Sequence, residues 1–165
     1  MRAMVAAVAI LFVSATDGNR EMQILARRPC ERVQLVSTTD WIRSVQRDGF
    51  SLQLPRCFQP VPDAPQYVHG GNQWRCGTAT VEVVWGSWGS DSFKDREACG
   101  ATISGLPVIV ARRANDGTPG VFVRYFTGLV HEPIIAAVDT RAADVPLLTT
   151  IAYSGQLVVS REPKR

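Results

Sequence analysis

The chain contains four cysteines, and their number and spacing restrict the fold more than any other feature of the sequence. They are widely separated and no CxxC pair occurs, so the ligand spacing typical of a structural zinc site is missing. An even number of cysteines in an exported chain instead indicates two disulfides. Four cysteines allow three pairings, which spacing alone does not distinguish. The four residues are Cys30, Cys57, Cys76 and Cys99.

The neighbouring sequence favours one of these pairings. Cys57 and Cys76 each lie at the end of a candidate strand and flank the same loop, so we predict that they form a bridge. Cys30 and Cys99 would then connect the N-terminal segment to the middle of the chain. A disulfide that closes a loop of about 20 residues stabilises a fold by about 3 kcal/mol in the chain-entropy model. The other two pairings remain open at this point.

The first fifteen residues have the pattern of a secretory signal peptide. Arg2 provides a basic start, Ala3 to Val13 is an unbroken apolar run, and Ala15 ends a Val-Ser-Ala sequence. The run is too short to span a bilayer as a helix. We therefore expect cleavage near Ala15 and a secreted or periplasmic protein with no transmembrane segment afterwards. A buried N-terminal helix or strand is the alternative.

Residues 16–165 are expected to form one domain, with a core over about residues 33–160. The sequence is 45% hydrophobic and 20% charged, a composition typical of folded domains. The net charge is +3 and falls to +2 without Arg2, while Arg161, Lys164 and Arg165 place three positive charges in the tail. The body is therefore nearly neutral and has no basic stripe, so nucleic acid is not an expected partner.

Turn residues and apolar alternation predict an antiparallel sheet. Residues 41–46 and 50–54 form a candidate hairpin around Asp48-Gly49, and Pro55 ends it. Residues 59–71 are rich in proline and glycine and are predicted to be a loop. Further strands are predicted over 79–85, 106–111, 121–127, 134–138 and 156–160, with 100–105 as a short connection.

Helical signals are fewer and are strongest near the C-terminus. Asp144 and Pro146 indicate a helix start, an apolar face follows, and Gly155 is a candidate stop. A short helix over 93–98 is also predicted. The fold class is therefore α+β: an antiparallel sheet of about five to six strands, a meander in the C-terminal half, and one or two helices packed on it.

The strand that closes on a proline, Gly49-Phe50-Ser51-Leu52-Gln53-Leu54-Pro55, is followed by the meander and the terminal helix. Over residues 41–155 this succession resembles the PsbP-like group of small exported α/β sandwich proteins. The resemblance implies a central antiparallel sheet with helices on its faces, and an accessory or binding role without a common catalytic centre. No functional residue is carried over from it.

Tests for catalytic chemistry assign no catalytic residue, no metal ligand and no cofactor. No GxSxG, HExxH, P-loop or GxGxxG motif is present. His69 and His131 are the only histidines, too few for the usual catalytic zinc set. Paired acids for glycoside hydrolysis cannot be located by sequence. The candidates are Glu82, Asp91, Glu132 and Asp139.

The most distinctive remaining segment runs from His69 to Ser92 and combines tryptophans with glycines. Such residues can form a stacking face for a sugar or a protein partner, and Arg75 could add a cationic contact. The alternative is that the tryptophans cover the core near the disulfide. The candidate binding residues are His69, Trp74, Arg75, Trp85 and Trp88.

The favoured hypothesis is a non-enzymatic binding or accessory domain for an unknown protein or carbohydrate ligand. One alternative is a small secreted hydrolase that uses a carboxylate/histidine pair. The other is a structural subunit of an envelope assembly.

Overall fold

A computed structural model describes residues 23–62, 71–86, 98–113, 119–129, 131–139 and 145–158. Two helices flank ten strands; we label residues 23–27 α1 and Val145–Tyr153 α2. A single 3-10 turn spans Arg47–Gly49. The strands are β1 (Ile42–Val45), β2 (Phe50–Leu54), β3 (Gln59–Pro60), β4 (Gly71–Cys76), β5 (Ala79–Trp85), β6 (Cys99–Ile103), β7 (Leu106–Arg113), β8 (Pro119–Tyr125), β9 (Pro133–Asp139) and β10 (Gln156–Leu157).

The strands form two antiparallel sheets. The larger sheet has the order β3-β4-β5-β9-β8-β7-β6, and the smaller has the order β1-β2-β10. The α+β class, the C-terminal meander of β7, β8 and β9, and the C-terminal helix are therefore confirmed. The number of strands exceeds the expected five to six, because several short edge strands carry little apolar alternation. The predicted helix over 93–98 lies almost entirely outside the described residues.

Two predicted loops contain strands. In the proline-rich stretch 59–71, Gln59 pairs with Arg75 and Pro60 with Trp74. The predicted connection over 100–105 belongs instead to a hairpin of β6 and β7 around Ser104 and Gly105, both with positive φ. A two-residue turn of this kind matches the twist of the flanking strands, so the Ser-Gly pair was the available sequence signal.

The core lies between the two sheets and beneath α2. Alternate residues of β5, β8 and β9 point into it, and Val81, Val123 and Ile135 are fully buried there. Phe50, Leu52 and the other inward residues of β2 close it from the opposite side. The alternation of Phe50, Leu52 and Leu54 in the sequence therefore identified the face of β2 that packs on the core.

The other face of the large sheet carries a second apolar cluster around Ile109 and Phe122, on which Ile24 and Leu25 of α1 pack. Gly100 permits this contact, since a Cβ there would lie within 3.0 Å of Leu25 atoms. The segment after α1 then pairs with the β6 edge: Gly100 N donates to Arg28 O (2.7 Å) and Cys30 N donates to Gly100 O (2.8 Å). The predicted Cys30–Cys99 disulfide fixes this edge and is confirmed.

Tyr125 connects β8 to the end of α2 inside the core. Its hydroxyl donates to Ala152 O (2.5 Å) and accepts from Gly155 N (3.1 Å). Its ring meets Phe50 edge-on, with 5.2 Å between centroids. Burial raises the pKa of Tyr125 far above its usual value, so the hydroxyl remains a proton donor to the helix end.

Candidate binding cleft at the edge of the large sheet

The structure separates the predicted binding residues. Trp74 lies on β4 with 8% of its surface exposed, and Trp85 ends β5 with 2% exposed. Arg75 is exposed but lies on the opposite face of β4 from Trp74, because adjacent strand residues point to opposite faces. His69 and Trp88 lie outside the described residues. The candidate residues within the described part of the chain therefore do not form a common exposed surface.

Trp85 is a core residue. Its ring packs edge-on against Phe50, with 5.8 Å between centroids and an interplanar angle of 84°. Val81, which pairs with Trp74, lies four residues before Trp85, so the backbone positions of the two tryptophans are roughly 13 Å apart along the sheet. This arrangement agrees with the alternative interpretation, in which the tryptophans pack on the core.

A cleft of 220 Å³ opens where β3 meets β4, beside the exposed edge of Trp74. Val61 N donates to Gln73 O (2.9 Å) and extends the β3–β4 pairing towards the cleft. The cleft is bounded by prolines on the β3 side and by two amide residues and a tryptophan on the β4 side. The lining residues are Pro60, Val61, Pro62, Gly71, Asn72, Gln73 and Trp74.

The second disulfide holds the two strands of the cleft together. Cys57 lies two residues before Gln59, and its bridge to Cys76 is the predicted pairing, which is confirmed. Gln59 pairs with Arg75, immediately beside this bridge. A two-residue strand such as β3 has too few ladder hydrogen bonds to hold its position alone, so the covalent link fixes the shape of the cleft.

Asn72 belongs to a polar chain that connects the two sheets. Its Nδ2 donates to Gln46 Oε1, and Gln46 Nε2 donates to Ser44 Oγ (2.9 Å). Gln46 is buried, and the contacts on both sides satisfy its amide.

Two of the candidate acids, Glu132 and Asp139, lie far apart and accept hydrogen bonds from the backbone or from hydroxyls. Glu132 accepts from Thr127 N (2.6 Å), Thr127 Oγ1 (2.9 Å) and Gly128 N (3.3 Å), so it orders the loop between β8 and β9. Asp139 accepts from Thr78 Oγ1 (2.8 Å) at the far end of β9, roughly 23 Å along the chain from Glu132.

Glu82 lies between these ends, opposite Ala136 of β9. His131 is adjacent to Glu132 in sequence, but both oxygens of that carboxylate already accept hydrogen bonds from the loop. Asp91 lies outside the described residues. Within those ranges no three histidine, cysteine, aspartate or glutamate side chains are grouped closely enough to hold a metal ion.

Sequence reasoning identified Trp74 but missed the residues that surround it. Asn72 and Gln73 belong to the same His-Gly-Gly-Asn-Gln-Trp segment, but of the last three residues only the tryptophan was a predicted binding residue. Pro60 and Pro62 were assigned only to a loop. Their contribution to the cleft depends on the pairing of β3 with β4. A strand of two residues is too short to show a recognisable sequence pattern, so this pairing could not be predicted.

The fold and the two bridges define a disulfide-stabilised α+β domain, and the bridges indicate an oxidising compartment. Across the described ranges no helix is both long and apolar enough to cross a membrane. Comparison of the chain with protein-family models and with curated proteins finds no match.

Proposed function

We propose that this chain is an exported, non-enzymatic binding domain whose ligand site is the cleft beside Trp74. One observation carries the proposal: Asn72, Gln73 and Trp74 of β4 line a cavity together with the prolines of the facing segment, and a disulfide joins the two sides. Uncharged donors and acceptors beside an aromatic ring are the groups that bind neutral polar ligands such as sugars.

The size of the cleft narrows the ligand class. Its volume of 220 Å³ is below the range of about 300–1,000 Å³ that is typical of pockets for drug-sized molecules. One sugar ring fits this space better than an extended cofactor. Arg75 is not a lining residue, so a carboxylate or phosphate on the ligand is not required for binding.

We expect a monosaccharide panel to identify the ligand class. Titration of the ¹⁵N-labelled chain with neutral hexoses and N-acetylhexosamines should shift the side-chain amide signals of Asn72 and Gln73 and the indole signal of Trp74. Gln73→Ala should weaken binding by between about twofold and tenfold, the value of one hydrogen bond. Gln34→Ala, which removes an exposed amide elsewhere, is the matched control. Shifts confined to other regions, or no shifts with any sugar, would contradict the site.

Export is the second part of the proposal, and it is supported by the signal-like N-terminus together with the two bridges. The intact mass of the protein recovered outside the cytoplasm should lack the first fifteen residues, with residue 16 at the new N-terminus. An intact Met1 on the exported protein would exclude cleavage near Ala15.

Membership of the PsbP-like group remains part of the proposal. It is supported by β2 ending at Pro55, by the meander of β7 to β9 and by the position of α2. The accessory or binding role of such proteins agrees with the cleft proposed above.

A further inference from the structure

Strand β1 forms an edge of the small sheet, and both of its apolar side chains are exposed. Ile42 has 51% of its surface exposed and Val45 has 63%. The sheet order is β1-β2-β10, so β1 has a strand neighbour on one side only among the described residues. An exposed apolar edge strand is a template for a further strand.

The hydrogen-bond pattern shows which backbone groups face this edge. Gln46 N donates to Phe50 O (2.6 Å), so Gln46 and Phe50 form a hydrogen-bonded pair of the β1–β2 ladder. Hydrogen-bonded and non-hydrogen-bonded pairs alternate along antiparallel strands. The next two hydrogen-bonded pairs are therefore those of Ser44 with Leu52 and of Ile42 with Leu54. Arg43 and Val45 therefore direct their N–H and C=O groups away from β2.

Gln53 gives independent support for this pattern. It is the partner of Arg43 in the ladder, and its N–H and C=O bond the Ser154 hydroxyl on the opposite side of β2 (2.8 and 3.2 Å). The Arg43–Gln53 pair is thus a non-hydrogen-bonded pair, as the alternation requires.

Two of the usual protections of an edge strand, a proline and a β-bulge, are missing from β1. The strand contains no proline or glycine, and its pairing with β2 is continuous over all four residues. The charge on Arg43 does not prevent another strand from pairing with β1, because its guanidinium extends across β2 to the side-chain oxygen of Gln156. The charge therefore lies over its own sheet, away from an approaching strand.

We propose that β1 pairs with β1 of a second copy of this chain, in an antiparallel, two-fold symmetric dimer centred on Ser44. Arg43 then forms a hydrogen-bonded pair with Val45 of the second copy, and Val45 with its Arg43. The four N–H and C=O groups that each copy directs outwards are all satisfied. The small sheets of the two copies join into one sheet of six strands.

This register also fits the side chains. Each arginine lies opposite a valine, so the like charges are not directly opposed. The two Ser44 residues face each other in a non-hydrogen-bonded pair, where side chains approach closely. Each Ser44 Oγ already accepts from Gln46 and retains its hydroxyl proton for the opposite serine.

Sedimentation equilibrium of the full chain, with both disulfides intact, tests this pairing. The wild type should form dimers with increasing concentration. Val45→Pro removes the outward N–H but no bond to β2, and a proline is tolerated at such an edge position. We expect it to weaken dimerisation about tenfold or more, since two interchain bonds are lost. Val45→Thr retains the N–H and should dimerise like the wild type.

Val145→Lys is the matched control, because Val145 is 45% exposed but lies on α2. It should leave the dimerisation constant within about threefold of the wild type. Amide hydrogen exchange adds a residue-specific readout: the Arg43 and Val45 amides should become protected as the dimer forms. Near-ultraviolet circular dichroism of Val45→Pro establishes that the variant is folded.

Three results would overturn the proposal. The wild type could stay monomeric at every concentration, including the case in which β1 binds only a foreign extended peptide. Val45→Pro could dimerise as strongly as the wild type. Val145→Lys could lose dimerisation to the same extent, which would move the interface to α2.

Discussion

Replacing Cys30 and Cys99 together by alanine should lower the free energy of unfolding by about 4 kcal/mol. The bridge joins residues 69 positions apart, and cross-linking so long a loop removes much of the conformational entropy of the unfolded chain. Folded domains are stable by only about 5–15 kcal/mol, so the loss is a large fraction of the total. For a chain of this size it corresponds to a fall in Tm of roughly 10 °C.

The second bridge gives a matched comparison. Cys57 and Cys76 are only 19 residues apart, so replacing both by alanine should cost about 3 kcal/mol in the same model. Urea denaturation of the two double variants, with the wild type beside them, measures both values. Equal stability of the Cys30/Cys99 variant and the wild type would show that this bridge contributes nothing to stability. A larger loss in the Cys57/Cys76 variant would show that loop length does not determine the contribution of each bridge.

Gly155→Ala should cost about 3 kcal/mol, because the space for a methyl group is already filled by aromatic rings. A Cβ at this position would lie 2.6 Å from the Tyr125 hydroxyl oxygen and 2.8 Å from Phe50 Cζ. Both rings are fully buried in the packed core and cannot move aside freely. Displacing Tyr125 would also strain its hydrogen bonds to Ala152 and Gly155.

Gly77→Ala serves as the control for this prediction. Gly77 has a φ of +59° and nothing within 4 Å of an added Cβ, so only a backbone cost of about 1 kcal/mol is expected. Thermal and urea unfolding of both variants should rank Gly155→Ala as clearly less stable. If the two glycine variants lose the same stability, steric conflict with Tyr125 and Phe50 is not the cause.

The sequence predicted those parts of the fold that depend on local signals. The Asp48-Gly49 turn between β1 and β2 was identified correctly, and both residues have positive φ. The strand over 79–85 and the helix that starts near residue 145 were also predicted, because each has a clear apolar period. β10 lies within the strand predicted over 156–160. The edge strands β3 and β6 were not predicted, because their positions depend on pairing with β4 and β7.

The candidate cleft was only partly predictable. Trp74 was predicted to bind a ligand because it is a tryptophan among glycines. The sequence does not show whether its indole faces the core or a ligand. Trp85 belongs to the same tryptophan-rich segment and packs edge-on against Phe50 instead. Asn72 and Gln73 become site residues only because β3 pairs beside them and encloses the space.

The four cysteines also separate what the sequence predicts from what only the tertiary structure determines. Their even number predicted two bridges, and the strand ends beside Cys57 and Cys76 favoured the pairing that the structure has, because these signals are local. Only the tertiary structure decided what each bridge does. Cys30–Cys99 fixes a segment to the β6 edge, and Cys57–Cys76 fixes the strands of the cleft. These roles depend on contacts between residues far apart in sequence, for which loop closure must first bring the strands together.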